Sequence, residues 1–93
     1  MRTQKPSVKL EDWAVVPGLE TGRYQELCPG NLLVGRAFGH HRIKSGTFIF
    51  TSPIVGVDQQ NNIVETKNTS YHLGEASHEY KMWSREQASK TAA

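Results

Sequence analysis

Four histidines and one cysteine are the residues of this chain whose types could support metal or nucleophilic chemistry. His40 and His41 are adjacent, whereas His72 and His78 stand alone. Neighbouring residues of a strand point to opposite faces, so His40 and His41 could bind one metal ion only from a loop. No His-Glu-x-x-His pattern is present, and a single cysteine cannot build a Cys-rich zinc site. The sequence therefore predicts no metal site.

The cysteine also makes a weak nucleophile candidate. Cys28 precedes Pro29-Gly30 without a histidine nearby in sequence, and a small, semi-buried thiol is the expected state. No serine lies in a Gly-x-Ser-x-Gly elbow, and the pair Glu11-Asp12 lies in polar, surface-like sequence. We predict that the protein is not an enzyme, has no catalytic residues or cofactor, and acts on no small-molecule substrate.

The segment GHHRIKSG at residues 39–46 is the strongest candidate for a binding site. Glycine at both ends permits sharp turns and leaves two imidazoles and two cations on a projecting loop. His40, His41, Arg42 and Lys44 could then hold a phosphate or an acidic protein surface. The alternative is that these charges are ordinary solvated side chains.

The charge balance favours the same region. The chain has eleven Lys and Arg against nine Asp and Glu, a net +2 that is too small to predict nucleic acid or membrane binding by itself. Residues 1–44 contain seven of the basic and four of the acidic side chains. An electrostatic partner site is therefore expected near Arg36, Arg42 and Lys44.

Three phenylalanines flank this loop. Phe38, Phe48 and Phe50 could stack on bases, as the aromatic residues of sheet-based single-strand binders do. The chain has few aromatic residues to fill a core, so we expect these three rings to be buried.

The residues between Gly46 and Gly74 predict the scaffold. Apolar and polar residues alternate there, and turn-like clusters at 58–62 and 67–68 divide the segment into three short strands. A further strand is predicted within residues 31–38, where Gly35 suggests a bulge or a close backbone approach. Pro53 cannot donate to a ladder, which predicts a bulge, a bend or an edge. The β core is expected to span residues 31–74.

The flanking segments are less regular. Residues 1–9 are predicted to form a flexible arm, and residues 10–30 fit either a strand or a helical turn. Residues 75–89 predict a C-terminal helix whose buried stripe is Ala76, Tyr80 and Trp83. Met82 lies off this stripe, and an exposed methionine beside a tryptophan would suit a protein contact.

These elements indicate one domain of 93 residues with a mainly β fold. We expect an SH3-like open barrel or a bent antiparallel meander of four to five strands, closed on one side by the C-terminal α-helix. No apolar leader or membrane span is evident, and a lone cysteine excludes an intrachain disulfide. The expected location is cytoplasmic.

The runs GHHRIKSGTFIFTSPIV and IVETKNTSYHLG resemble a pattern found in short bacterial hypothetical proteins, some of them encoded in phages and mobile elements. The resemblance covers residues 39–74. His41 stands where that pattern typically has a loop proline. The resemblance implies a compact β domain, possible mobile-element origin and no established catalytic residues.

The function predicted from these observations is that of a small accessory binding module. Its contacts are expected to use the 39–46 loop and an exposed sheet edge, with another protein or a second copy of the chain as partner. The alternative is a nucleic-acid-binding module that uses the basic residues of the same loop.

Overall fold

The computed structural model describes residues 5–18 and 23–91. The chain forms five strands and then a helix, which are β1 (Ser7–Val16), β2 (Leu32–Phe38), β3 (Thr47–Asp58), β4 (Ile63–Thr66), β5 (Ser70–Leu73) and α1 (His78–Thr91). The predicted mainly β class with a C-terminal helix is confirmed. No helix within the described ranges has the length and apolar character needed to cross a lipid bilayer.

The five strands form a closed barrel in chain order. Each strand pairs antiparallel with the next, and β1 pairs parallel with β5 through contacts such as Val8 with Tyr71. The parallel pair follows from the odd number of strands. When strands alternate in direction, the first and fifth run the same way, and they must pair parallel to close the ring.

The start of the chain differs most from the sequence predictions. Ser7 to Lys9, expected in a flexible arm, belong to β1, whereas residues 1–4 lie outside the described part. Of residues 10–30, left open between strand and helix, 10–16 complete β1 and 23–30 are irregular, while 19–22 lie outside the described part. The β core therefore starts well before residue 31, because β1 supplies one wall of the barrel.

The interior of the barrel is filled by small and medium aliphatic side chains. The largest that are fully buried are Leu10, Leu33, Ile54, Val8, Val15 and Val64. On β2 the inward face carries Leu33, Gly35 and Ala37, the set that strand alternation predicts for one face. Tyr71 of β5, which pairs with Val8 and Val64, adds one buried ring to this core.

A bulge in β1 brings that strand close to Gly35. Glu11 pairs with Arg36 and Ala14 with Val34, so two residues of β1 lie opposite the single residue Gly35. A Cβ at Gly35 would lie 2.9 Å from the carbonyl oxygen of Glu11 and 3.0 Å from the Cα of Trp13. The predicted close backbone approach at Gly35 is confirmed.

A second bulge lies in β3 beside Pro53. Val34 pairs with Phe50 but Leu32 pairs with Pro53, which leaves one extra residue in β3. The hydroxyl of buried Thr51 replaces the regular ladder bond at this point. It accepts a hydrogen bond from the Leu33 N–H at 3.1 Å and donates one to the Ser52 carbonyl at 2.8 Å. The predicted irregularity at Pro53 is therefore a bulge whose polar groups are satisfied.

Trp13, the second residue of the bulge in β1, attaches the segment that leads into α1. Its backbone N–H donates to the Glu75 carbonyl at 3.4 Å, and its carbonyl accepts from the Ser77 N–H at 2.8 Å. Its indole N–H donates to the Gly74 carbonyl at 3.0 Å. Because Ala76 forms a bridge with Trp13, the helix begins at His78 rather than at residue 75.

The helix starts with a side-chain cap and packs through aromatic rings. The Ser77 hydroxyl accepts from the Tyr80 N–H at 3.1 Å, which satisfies one free donor of the first turn. The Tyr80 ring lies 5.4 Å from those of Trp13 and Trp83, measured between centroids. Tyr80 and Trp83 of the predicted stripe thus pack against the barrel, and Ala76 lies before the helix.

Tyr80 also links the helix to the segment that precedes β2. Its hydroxyl donates to the Gln25 carbonyl at 2.6 Å. Burial is the main cause that raises the pKa of Tyr80 to about 12, and the nearby Glu26 and Cys28 add to the effect.

The substitution Gly35→Ala tests the close approach of β1. We expect it to lower the free energy of unfolding by about 1–3 kcal/mol, because two of the three nearest atoms belong to the backbone and the third to buried Leu10. Gly56→Ala in β3 is the matched control, since no atom lies within 4 Å of its Cβ position. Urea denaturation of both variants gives the comparison, and equal midpoints would contradict the close approach.

Alkaline titration tests the burial of Tyr80. The folded state favours the neutral phenol, so its contribution to stability is complete below pH 10 and is lost as the pH rises from 10 to about 12. We expect tyrosinate absorbance to show an ionisation near pH 12 that Tyr80→Phe removes. If Tyr80→Phe and the unchanged protein titrate alike in this pH range, the Tyr80 hydroxyl is not buried.

Candidate binding site: an aromatic and basic face

The outer surface of β2 and β3 carries three aromatic residues and the basic residue Arg36. Arg36 pairs with Phe48 and Val34 with Phe50, and directly paired residues share a face of the sheet. Phe38, two residues after Arg36, points to the same side. All three phenylalanines therefore lie on the outside of the barrel.

The expectation that these rings fill the core is wrong. Phe38 is 36% exposed, Phe48 51% and Phe50 52%. The rings of Phe48 and Phe50 are 6.0 Å apart and nearly perpendicular, at 86°. We call Phe38, Phe48 and Phe50 the aromatic platform.

The position of Arg36 was the sequence signal for this exposure. Alternation places Phe48 and Phe50 on one face of β3 and Ile49 and Thr51 on the other, but it does not say which face is buried. Pairing with β2 decides the question, because the face opposite the phenylalanines carries Arg36. An unpaired guanidinium would be costly inside an apolar barrel.

The 39–46 loop next to the platform is held by its own contacts. Gly39 and Gly46 have φ values of 86° and 93°, so the predicted turns at both ends are confirmed. The Gly46 N–H donates to the Ala37 carbonyl at 2.8 Å, and the Gly39 N–H donates to the Ser45 hydroxyl at 3.3 Å. The ring of Phe38 lies 3.9 Å from the Cβ position of Gly46, which joins the loop to the platform.

The two loop histidines form a stacked pair. The rings of His40 and His41 are 5.2 Å apart and 11° from parallel. Nδ1 of His40 accepts from the Arg42 N–H at 3.0 Å, so the imidazole carries its proton on Nε2. His40 therefore shapes the loop, and Arg42 and Lys44 remain exposed on it.

Arg36 connects the loop with the aromatic platform. Its guanidinium donates to the Gly46 carbonyl at 3.1 Å and lies 3.5 Å from the Asp12 carboxylate. Both ion-pair partners are more than half exposed. An exposed pair of this kind contributes about 0–1 kcal/mol, so Arg36 can exchange Asp12 for another anion at little cost.

Acidic residues are missing from β2, the loop and most of β3. No Asp or Glu lies between Glu26 and Asp58, whereas Arg36, Arg42 and Lys44 all fall in that interval. On β1, Lys9 pairs with Phe38 and adds a cation at the border of the platform. It also lies 3.3 Å from the Glu11 carboxylate.

Glu11 is the acidic neighbour of this face: it pairs with Arg36 in the β1–β2 ladder, and its carboxylate contacts both Lys9 and the linker before α1. Its carboxylate accepts from the Glu75 N–H at 2.9 Å. That bond, followed by the one from Lys9, holds the pKa of Glu11 below its usual range. A Cβ at Gly74 would overlap this carboxylate, so glycine there leaves space for the contact.

Met82 and Cys28 lie outside the aromatic platform and its loop. Met82 is 51% exposed on α1, and among the described strands the helix contacts β1 alone. The structure therefore brings His40, His41, Arg42, Lys44 and Arg36 together, but not Met82. The thiol of Cys28 is exposed rather than semi-buried, and its sulfur accepts from Nδ2 of Asn31 at 3.3 Å.

The remaining histidines take part in other structural contacts. His72 on β5 bonds to the Ser7 hydroxyl at 3.0 Å, and His78 begins α1. Within residues 5–18 and 23–91, no three His, Cys, Asp or Glu side chains are grouped as a metal site would require.

No protein-family model, curated protein or solved structure matches this chain. The resemblance to short bacterial and phage proteins therefore stays a prediction. What the protein does must be inferred from the chemistry of the aromatic platform and the 39–46 loop.

One part of β3 has a strand neighbour on one side only. Residues 47–50 and Pro53 pair with β2, whereas β4 pairs with β3 only from Ile54 onwards. Within the described residues, the first half of β3 thus forms a half-edge beside the aromatic platform. A predicted edge contact with a protein or a second copy would have to form there.

Truncation of a platform ring tests its exposure. We expect Phe48→Ala to lower the free energy of unfolding by about 1 kcal/mol, from its edge contact with Phe50 and its strand propensity. A buried phenylalanine would lose about 3–5 kcal/mol. Leu33→Ala is the reference for a fully buried site, with an expected loss of about 2–5 kcal/mol. A greater loss for Phe48→Ala than for Leu33→Ala would contradict the exposed position.

Proposed function

We propose that this protein is a non-enzymatic binding module that holds nucleic acid through the aromatic platform and the 39–46 loop. One observation carries the proposal. Three exposed phenylalanines lie on the same face of the sheet as Arg36, and the loop with Arg42 and Lys44 lies at the border of that face. This stretch of chain contains no acidic residue.

The chemistry of the face matches the two parts of a nucleotide. Arginine and lysine pair with phosphate oxygens, and arginine does so with two parallel hydrogen bonds. Aromatic side chains offer apolar surface on which bases can stack. Exposed apolar rings beside cations therefore fit a ligand that combines flat aromatic groups with regular negative charge.

The electrostatic contribution is modest. The whole chain has a net charge of +2, far below that of strongly basic nucleic-acid binders. Attraction must therefore come from the local arrangement of a few cations, and binding is expected to weaken as salt rises. The exposed Arg36–Asp12 pair supports this role, because phosphate can replace the carboxylate at little cost.

Protein binding or self-association is the second candidate, and the half-edge of β3 favours it. A strand added there would gain main-chain hydrogen bonds next to Phe48 and Phe50. This candidate gives no role to the cations of the loop, so we rank it below nucleic acid. The proposal also includes the cytoplasmic location and the mobile-element origin that the sequence favours.

Charge reversal in the loop tests the proposal. We expect Arg42→Glu/Lys44→Glu to weaken binding of a labelled mixed-sequence oligonucleotide by about tenfold or more at low salt. The slope of log affinity against log salt should also fall by about 1 for each phosphate that no longer has a cation beside it. Fluorescence anisotropy at several salt concentrations measures both effects.

Lys67→Glu/Arg85→Glu is the matched control, since it changes the net charge equally with exposed residues of the β4–β5 turn and α1. We expect this variant to bind like the unchanged protein. Equal weakening of both variants would attribute binding to net charge alone. The absence of binding at low salt would overturn the proposal and favour the protein-binding candidate.

A further inference from the structure

We infer that the nucleic acid bound by this face is an unpaired strand whose bases stack on Phe48, Phe50 and Phe38. The inference rests on the proposed function and names the form of nucleic acid. It rests on the spacing of the exposed rings and the angle between them, whereas the proposed function rests on their exposure and on the neighbouring cations.

Ring spacing argues against a duplex. The centroids of Phe48 and Phe50 are 6.0 Å apart, whereas successive bases of one duplex strand advance by about 3.4 Å. Bases that rest on these two rings must therefore be unstacked from each other. A duplex keeps its bases stacked and paired, so it can offer this face only its phosphates and groove edges.

Ring orientation sets how many bases can be held. Phe48 and Phe50 are inclined by 86°, so one flat base cannot lie parallel to both rings. Each ring can take its own base, splayed from its neighbour as single-strand recognition modules do. Phe38 is the diagonal cross-strand neighbour of Phe48 and can hold a third base on the side of the loop.

Cations lie along the path that a strand stacked on these three rings would follow. Arg36 lies directly opposite Phe48 in the β2–β3 ladder, and the loop with Arg42 and Lys44 follows Phe38. A strand that crosses the aromatic platform from Phe50 towards Phe38 thus approaches the guanidinium of Arg36 first and the loop cations afterwards. The phosphates between the stacked bases have partners on this path.

Two double variants separate stacking from general apolar contact. Phe48→Leu/Phe50→Leu keeps apolar side chains of good strand propensity but removes the rings, whereas Phe48→Tyr/Phe50→Tyr keeps the rings. The probes are oligothymidylates about 4–16 nucleotides long and a blunt duplex of matched charge. Circular dichroism first establishes that each variant is folded.

We expect the leucine variant to bind oligothymidylate about 5- to 150-fold more weakly, the effect of losing one stacked base or more. The tyrosine variant should bind within about threefold of the unchanged protein, and neither variant should alter duplex binding. If a variant is unfolded, aromatic proton shifts of Phe48 and Phe50 in the unchanged protein decide instead, because stacked bases shift those signals upfield.

The possible results distinguish base stacking of an unpaired strand from nucleic-acid binding in general. If the protein binds duplex and single strand equally and the leucine variant binds as well as the unchanged protein, base stacking is overturned. Nucleic-acid binding through the loop would still stand. A preference for the duplex would overturn stacking too. Binding of neither probe would overturn both.

Discussion

The extra residue in β1 opposite Gly35 is the constraint on which the rest of the structure depends. β1 pairs with β2 on both sides of it but with β5 only before it, and at the bulge itself the backbone of Trp13 bonds to the linker that leads into α1. Glycine is required opposite, since a methyl group there would meet backbone atoms of Glu11 and Trp13. One additional residue thus lets a single strand close the barrel and also hold the helix.

Pairing with β2 decides which face of β3 carries its rings. With Leu33, Gly35 and Ala37 on the inner face of β2, Arg36 lies on the outer face. Phe48 pairs with Arg36, so the rings of β3 lie on the same side of the sheet as the guanidinium. Packing alone does not require phenylalanine at these exposed positions, because smaller or polar residues would satisfy a solvent-facing strand. Their exposure is the observation on which the proposed binding function rests.

Much of the fold could be predicted from local patterns. The alternation in β3, β4 and β5, the irregularity at Pro53 and the stripe of Tyr80 and Trp83 all follow from residue type and spacing. β1 could not be predicted, because its bulge interrupts the alternation between Leu10 and Ala14. The loop and Arg36 were identified from glycine and charge. The aromatic platform was missed because periodicity defines the two faces of a strand without saying which is buried; only pairing with Arg36 on β2 decides that.

The parallel pairing of β1 with β5 has a consequence for how the chain folds. β2 and β3 are joined by a short loop, so their ladder can form from neighbouring residues at little entropic cost. The ring closes only when Val8 meets Tyr71, almost the whole length of the barrel sequence away. Contacts between such distant residues form slowly. The β2–β3 ladder that carries the three rings can therefore form before the ring of strands closes, and Phe48 and Phe50 do not depend on that closure for their place on the sheet.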